Sequence, residues 1–188
     1  MKKKWIVITI LFSCLPFCRV NAQTIAVKTN VLPWMTGTLN LGGEMRCGEW
    51  YSLEMNLNYN PWTWGDNKKM KHVLIRPSFK RWFRGVYDGG FVGVQMYYSR
   101  FNIGGMPLFN VLKKHRYQGS VVGGGFSCGY QWPISASWSI ETSLAAGYVR
   151  LNFKQYGPPA KGDLLQDKRK ENYWGVTHVG VSFVYFIQ

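Results

Sequence analysis

The chain has 188 residues, and its 23 lysines and arginines outnumber its 9 aspartates and glutamates, which gives a formal net charge of +14. This length suits a single domain and excludes a second folded module such as a peptidoglycan-binding domain. A basic chain favours anionic partners. Since an exported chain does not meet nucleic acid, lipid headgroups are the expected partners.

The N-terminus has the pattern of a secretory signal peptide. Lysines at positions 2–4 precede an apolar stretch over 5–17, and small residues follow at the positions that signal peptidase reads. The apolar stretch is shorter than the roughly 20 residues that a membrane-spanning helix needs. We therefore predict that residues 1–22 are a cleaved signal and that residues 23–188 form the mature domain, with a retained anchor as the alternative.

After the signal, apolar and polar residues alternate with a period of two, which is typical of β-strands with one apolar and one polar face. In the clearest case Tyr51, Leu53 and Met55 have one parity, whereas Ser52 and Glu54 have the other. The pattern predicts eight strands, at residues 25–31, 38–46, 50–60, 70–82, 91–101, 116–131, 138–153 and 173–187.

The links between these segments alternate in length, as in outer-membrane barrels, which have short periplasmic turns and long outer loops. The exception is the first outer link, 32–37, in which Pro33 suits a compact turn. Eight antiparallel strands also return both ends of the chain to the periplasm. We therefore predict an all-β fold, an eight-stranded antiparallel up-and-down transmembrane β-barrel in the outer membrane of a Gram-negative cell.

Aromatic residues fall near both ends of the predicted strands, where amphipathic rings favour the headgroup level of a membrane. Between them, the polar parity consists mainly of small or neutral residues, which fit the cramped lumen of an eight-stranded barrel. The inner belt is predicted to contain Trp50, Tyr51, Trp82, Phe83, Tyr130, Trp132, Trp138 and Phe186, and the outer belt Tyr59, Trp62, Tyr98, Tyr117, Tyr148, Tyr173 and Trp174.

A small set of charged residues shares the lumen parity, and its positive and negative members nearly balance. Buried charges are tolerated only when they are paired and hydrogen-bonded, so we predict a plugged, salt-bridged interior rather than a pore. The predicted lumen charge network consists of Lys28, Glu44, Arg46, Glu54, Arg76, Lys80 and Glu141.

Basic residues are concentrated in the predicted outer loops, at the level where lipopolysaccharide presents its phosphates. Ammonium and guanidinium groups bind phosphate through charge-assisted hydrogen bonds. The alternative is a set of solvated loop charges, which is what charge runs usually are. The candidate lipopolysaccharide-contacting residues are Lys68, Lys69, Lys71, Lys113, Lys114, Arg116, Lys168, Arg169 and Lys170.

Residues for catalysis or metal binding do not form a known pattern. No serine lies at a recognisable spacing from His72, His115 or His178, so we predict no catalytic residue, no metal site and no cofactor. Cys47 and Cys128 fall on well-separated parts of the predicted wall, which disfavours a disulfide and favours two thiols that pack as small apolar groups.

Five short segments together resemble an uncharacterised outer-membrane β-barrel family of Bacteroides-type bacteria, a domain-of-unknown-function family. The resemblance covers nearly the whole mature chain and implies a barrel of the OmpA/OmpX type, often encoded beside fimbrial genes, with no established activity. The segments are Val27-Lys28-Thr29-Asn30, Tyr59-Asn60-Pro61-Trp62, Asp66-Asn67-Lys68-Lys69 with Lys71-His72, Arg116-Tyr117-Gln118-Gly119 and Gly129-Tyr130-Gln131-Trp132.

The expected function is therefore non-enzymatic: a structural or surface-interaction role, in which basic outer loops contact lipopolysaccharide. One alternative is an accessory to fimbrial anchoring or assembly, with a surface or fimbrial protein as partner. The other is an enzyme that modifies lipid A. The fimbrial alternative depends on analogy alone.

Overall fold

The computed structural model describes residues 25–64, 68–104, 116–157 and 164–187. The predicted signal over 1–22 lies outside them, as does most of the outer link at 102–115. The described part is almost entirely strand, with one short helix, α1 (Val31–Trp34). Its strands are β1 (Ile25–Asn30), β2 (Leu39–Arg46), β3 (Tyr51–Asn60), β4 (Thr63–Trp64), β5 (Lys68–Trp82), β6 (Gly89–Gly104), β7 (Arg116–Pro133), β8 (Trp138–Tyr156) and β9 (Leu164–Ile187).

Eight of these strands, all but β4, form one antiparallel sheet that closes into a ring. Each strand pairs with its neighbour in the chain, β3 pairs with β5, and β1 pairs with β9 to close the ring. The all-β, eight-stranded antiparallel prediction is confirmed. We call the end with the links 47–50, 83–88 and 134–137 the turn end, and the opposite end the loop end.

The two faces of each strand follow the alternation in the sequence. On β3, Ser52, Glu54 and Asn56 are buried inside the ring, whereas Leu53 and Met55 are exposed on its outer face. A closed ring leaves no free sheet edge, so backbone hydrogen bonds are satisfied around the wall.

The strands extend further towards the loop end than the alternation predicts. β8 continues to Tyr156 and β9 begins at Leu164, whereas the predicted strands stop at 153 and begin at 173. Residues 169–172 are exposed, so the environment imposes no alternation on them although the hydrogen-bond ladder continues. The first outer link begins earlier than predicted, because Asn30 caps α1 by accepting a hydrogen bond from the Leu32 N–H at 3.1 Å.

The turn end of the lumen is closed by four inward-facing aromatic residues, which we call the aromatic plug: Trp82, Tyr87, Phe91 and Phe186. Ring centroids of Trp82 and Phe91 are 4.8 Å apart, and those of Tyr87 and Phe186 are 5.1 Å apart. The prediction of Trp82 and Phe186 in the inner belt is wrong. Trp82 is only 1% exposed, because it shares the inward parity of Lys80, and its indole N–H donates to Ser52 Oγ at 2.8 Å.

Two further findings concern the described residues. No disulfide joins Cys47, in a turn-end link, to Cys128, on β7. No helix in the described ranges is long and apolar enough to cross a membrane, a finding that does not bear on strands.

Candidate functional site

A cluster of buried ion pairs lies next to the aromatic plug, on the side that faces the loop end. The Lys80 ammonium donates to both carboxylate oxygens of Glu141 at 3.0 Å and to Glu44 at 3.2 Å, and it lies 2.5 Å from Glu54. The Lys28 ammonium lies 2.5 Å from Glu141 and 3.3 Å from Glu54, and it also contacts Glu44. We call these five residues the ion-pair cluster.

The ring brings the cluster together because its members share the inward parity on five different strands. Lys28 is on β1, Glu44 on β2, Glu54 on β3, Lys80 on β5 and Glu141 on β8. All five are buried. The turn-end half of the lumen is therefore filled for two reasons: alternation points these side chains inwards, and an eight-stranded ring has a small radius.

The three carboxylates lie close enough to suggest a metal site, since their oxygens fall within 4.8 Å of one another. The two lysine ammoniums already lie among them and neutralise most of their charge. A metal ion would have to displace both lysines, so we interpret the cluster as structural.

The other two predicted members of the lumen network lie apart from the cluster. Arg76 is buried four residues along β5 from Lys80, towards the loop end, and it contacts none of the three glutamates directly. Arg46 lies at the end of β2, where its Nε donates to the Gly48 carbonyl at 2.9 Å.

Between Arg76 and the loop end, the inward side of β5–β9 lines a mainly apolar cavity of about 500 Å³. We call it the lumen cavity. Its wall includes Leu74, Tyr97, Val121 and Val149, and Arg76 also lines it. The inward residues of β1–β3 stay polar at this level, among them Asn30, Asn40 and Asn60. The sequence prediction of a filled lumen therefore fails beside β5–β9 in the loop-end half, where this cavity lies.

A larger cleft of about 1090 Å³ lies at the loop end, and we call it the basic cleft. It shares His72 and Phe101 with the wall of the lumen cavity. None of the described residues that line it is acidic. Its basic side chains are Lys71, Arg100, Arg150, Lys154, Arg169 and Lys170.

The predicted lipopolysaccharide contacts are only partly visible. Lys71, Arg169 and Lys170 line the basic cleft, whereas Arg116 does not: its Nε donates to Asn102 at 2.8 Å. Arg100 and Arg150 line the cleft although they were not predicted, because they lie in segments read as strand rather than loop. Lys154 also lines it and begins a predicted loop, but it was not among the candidates. Lys113 and Lys114 lie outside the described residues, and so do the side chains of Lys68, Lys69 and Lys168.

Comparison with known protein families identifies the family of this chain. A model of one family matches residues 6–187, nearly the whole chain. The chain belongs to the DUF3575 family, whose members are described as proteins of unknown function. No curated protein and no solved structure matches it. The expectation of an uncharacterised family is confirmed, and the Bacteroides-type source, the OmpA/OmpX likeness and the fimbrial link stay predictions.

Because the DUF3575 description names no activity, any reactive pair has to be judged by its geometry. The ring brings Ser143 Oγ within 3.2 Å of His178 Nε2, a contact that spacing in the sequence did not reveal. A nucleophile beside a base is necessary for acyl transfer but needs access to substrate. Neither residue lines the lumen cavity or the basic cleft, so we interpret the contact as a hydrogen bond of the lumen.

Tyr87, in the link 83–88, is the one described non-glycine residue with a left-handed backbone, at φ 74°. Its hydroxyl donates to the Glu44 carbonyl at 3.1 Å, and its ring packs in the aromatic plug. Burial, reinforced by the Glu44 carboxylate, raises the pKa of the Tyr87 phenol above its ordinary value. The phenol therefore stays neutral and keeps its hydrogen bond across the physiological range.

Proposed function

We propose that the protein is an integral outer-membrane β-barrel without enzymatic activity, whose basic cleft binds the phosphates of lipopolysaccharide. In this arrangement the turn end faces the periplasm and the loop end faces outwards. The membrane surrounds the ring, and the ion-pair cluster and aromatic plug close the lumen.

The observation that carries the proposal is the outer face of the ring, which is apolar on every strand of the ring. Each strand of the ring exposes at least one large apolar side chain, and one chosen from each strand gives fractional exposures from 39% for Val181 to 77% for Phe126. Water-soluble monomers rarely expose an apolar surface that continues around the whole molecule. One such residue from each strand of the ring is Ile25, Leu41, Leu57, Ile75, Val94, Phe126, Leu144 and Val181.

Paired aromatic rings near both ends of the ring support a membrane setting. The ring centroids of Trp138 and Tyr185 lie 4.9 Å apart near the turn end. Those of Tyr148 and Trp174 lie 5.3 Å apart towards the loop end. Tryptophan and tyrosine favour the headgroup level because one part of the ring system is apolar and another forms hydrogen bonds.

The basic cleft supports an anionic partner at the outer end. Arg100 and Arg150 are exposed and line the cleft. They lie close to the edge of the apolar outer face, at the level where lipid phosphates begin. Guanidinium groups bind phosphate oxygens through paired hydrogen bonds, which makes these two arginines the strongest candidates for headgroup contact.

Gel electrophoresis of detergent-purified protein tests the membrane barrel. A closed barrel resists unfolding by dodecyl sulfate until it is heated, so we expect the unheated protein to migrate faster than the boiled protein. Identical migration of the two samples, or full solubility of the mature chain without detergent, would contradict the proposal.

Paired substitutions test lipopolysaccharide binding. Arg100→Gln with Arg150→Gln is expected to lower the lipopolysaccharide retained per barrel severalfold, because two phosphate contacts are lost. The control is Arg81→Gln with Arg84→Gln, which removes the same charge from exposed arginines at the turn end. Equal retention by both variants would show that the basic cleft does not bind lipopolysaccharide.

A further inference from the structure

The lumen cavity is apolar on one side because inward-facing residues of β5 and β8 change from polar to apolar halfway along the wall. On β5 the inward positions run from Lys80 and Ser78 to Arg76, and then to Leu74. On β8 the inward position above Gly147 is Val149, which also lines the cavity. A filled eight-stranded lumen needs no apolar compartment of this kind, so the cavity calls for a separate explanation.

Three glycines let Tyr97 and neighbouring backbone pack closely in the wall beside the cavity. Gly123, Gly125 and Gly147 face inwards at neighbouring positions on β7 and β8. Tyr97 covers one of them, since a Cβ on Gly123 would lie 2.6 Å from the Tyr97 ring. The Tyr97 hydroxyl donates to the Tyr148 carbonyl at 3.2 Å, which holds the ring against this wall. The cavity is thus shaped by the wall itself.

Arg76 is the polar feature of the cavity that lacks a partner. Its side chain is only 7% exposed, and it makes no hydrogen bond or ion pair with any described residue. Glu54 and Glu141 attract it through space, but both contact the lysines of the ion-pair cluster instead. The buried Nε–H of Arg76 has no acceptor among the described residues, which is costly, so the site favours an acceptor oxygen from outside the chain.

His72 lies in the wall between the lumen cavity and the basic cleft, and it lines both. Because the cleft above is lined by cationic side chains, it attracts anions towards the mouth of the cavity. The basic cleft therefore favours an anionic ligand that arrives from the loop end.

We propose that the lumen cavity binds an alkyl carboxylate, with the carboxylate paired to Arg76 and the alkyl chain packed against Leu74, Val121 and Val149. The planar guanidinium matches the two oxygens of a carboxylate. A phosphate dianion would bring two charges to a single guanidinium, so a monoanion fits better. The volume of about 500 Å³ lies in the range of roughly 300–1,000 Å³ that is typical of small-molecule sites.

Dodecanoate is a suitable probe, with dodecanol and methyl dodecanoate as uncharged comparisons. Protein with labelled leucine and valine methyl groups, in nanodiscs of zwitterionic lipid, would be titrated with each compound and followed by NMR. Methyl groups of Leu74 and Val149 report on the lumen, whereas those of Leu57 report on the membrane face. We expect dodecanoate to shift the lumen methyl signals at concentrations at least about tenfold lower than either uncharged compound.

Two variants separate recognition of the anion from the apolar fit. Arg76→Gln is expected to weaken dodecanoate binding at least about tenfold and to leave dodecanol binding unchanged. Leu74→Trp keeps Arg76 but fills the cavity, so it is expected to abolish the Val149 shifts with every compound. Heat-dependent migration on a gel shows whether each variant is folded, and if Arg76→Gln is not, the comparison among compounds and Leu74→Trp decides.

Three results would overturn the inference. Shifts confined to Leu57 would show that dodecanoate partitions into lipid only. Equal affinity for dodecanoate and methyl dodecanoate would show that charge is not recognised. Dodecanoate binding that Arg76→Gln leaves unchanged in a folded barrel would show that Arg76 does not hold the carboxylate.

Discussion

Replacing Lys80 with methionine is expected to destabilise the barrel strongly. The Lys80 ammonium is buried and contacts Glu44, Glu54 and Glu141 within 3.2 Å. Lys80→Met keeps most of the side-chain volume but leaves three buried carboxylates around Lys28. Removing one partner of a buried ion pair costs about 3–5 kcal/mol, so we expect the free energy of unfolding to fall by that amount.

Urea unfolding in phospholipid vesicles, followed by tryptophan fluorescence, measures this loss. The matched control is Lys71→Met, which removes the same charge from an exposed position on the same strand and should change stability by less than about 0.5 kcal/mol. Adding Glu141→Gln to Lys80→Met restores the charge balance, and we expect it to recover about 1–3 kcal/mol. A loss below about 1 kcal/mol for Lys80→Met, or no recovery in the double variant, would refute the role given to the cluster.

Glycines and one tyrosine give further predictions. Gly147→Ala should cost about 1–3 kcal/mol in the same unfolding assay, because its Cβ would lie 2.2 Å from a backbone oxygen, whereas Gly43→Ala, with open space around it, should be neutral; equal stability of the two would contradict the packing described. The raised pKa of Tyr87 means that the folded state keeps a proton that the unfolded state loses above about pH 10, so stability should fall as pH rises past 10. Tyr87→Phe should show a smaller loss between pH 9 and pH 11, and an unchanged loss would count against the burial of this phenol.

The sequence predicts most of the wall, because a single physical rule governs it. Side chains such as Leu57 and Asn56 must face different environments, so period two appears wherever the ring separates those environments. The same parity predicts that Lys28, Glu44, Glu54, Lys80 and Glu141 share the lumen. The same parity also places Trp82 inside the ring. The prediction that Trp82 belongs to the outward-facing aromatic belt was wrong because it followed the position of Trp82 at the end of a strand and not its parity.

The sequence predicts less where that rule stops or where position in space decides. Residues 169–172 lie beyond the apolar outer face of the ring and show no alternation, although they belong to β9. The lumen cavity depends on which residues of five strands, β5 to β9, reach the same level. A shift in the pairing of β8 with β9, at Ala145 and Ala146, changes those levels. Such levels cannot be read without the pairings, so neither the unpaired Arg76 nor the Ser143–His178 contact was predictable.

Spin labels on the outer face test most directly whether the membrane surrounds the ring. In a variant with Cys47→Ala and Cys128→Ala, a nitroxide would be placed in turn at single cysteines that replace Leu57, Val94, Leu144 and Val181, on four different strands. In lipid vesicles, all four labels should collide with dissolved oxygen and be shielded from a water-soluble nickel chelate. Free collision with the nickel chelate at these positions would show that water, and not hydrocarbon, covers the apolar face.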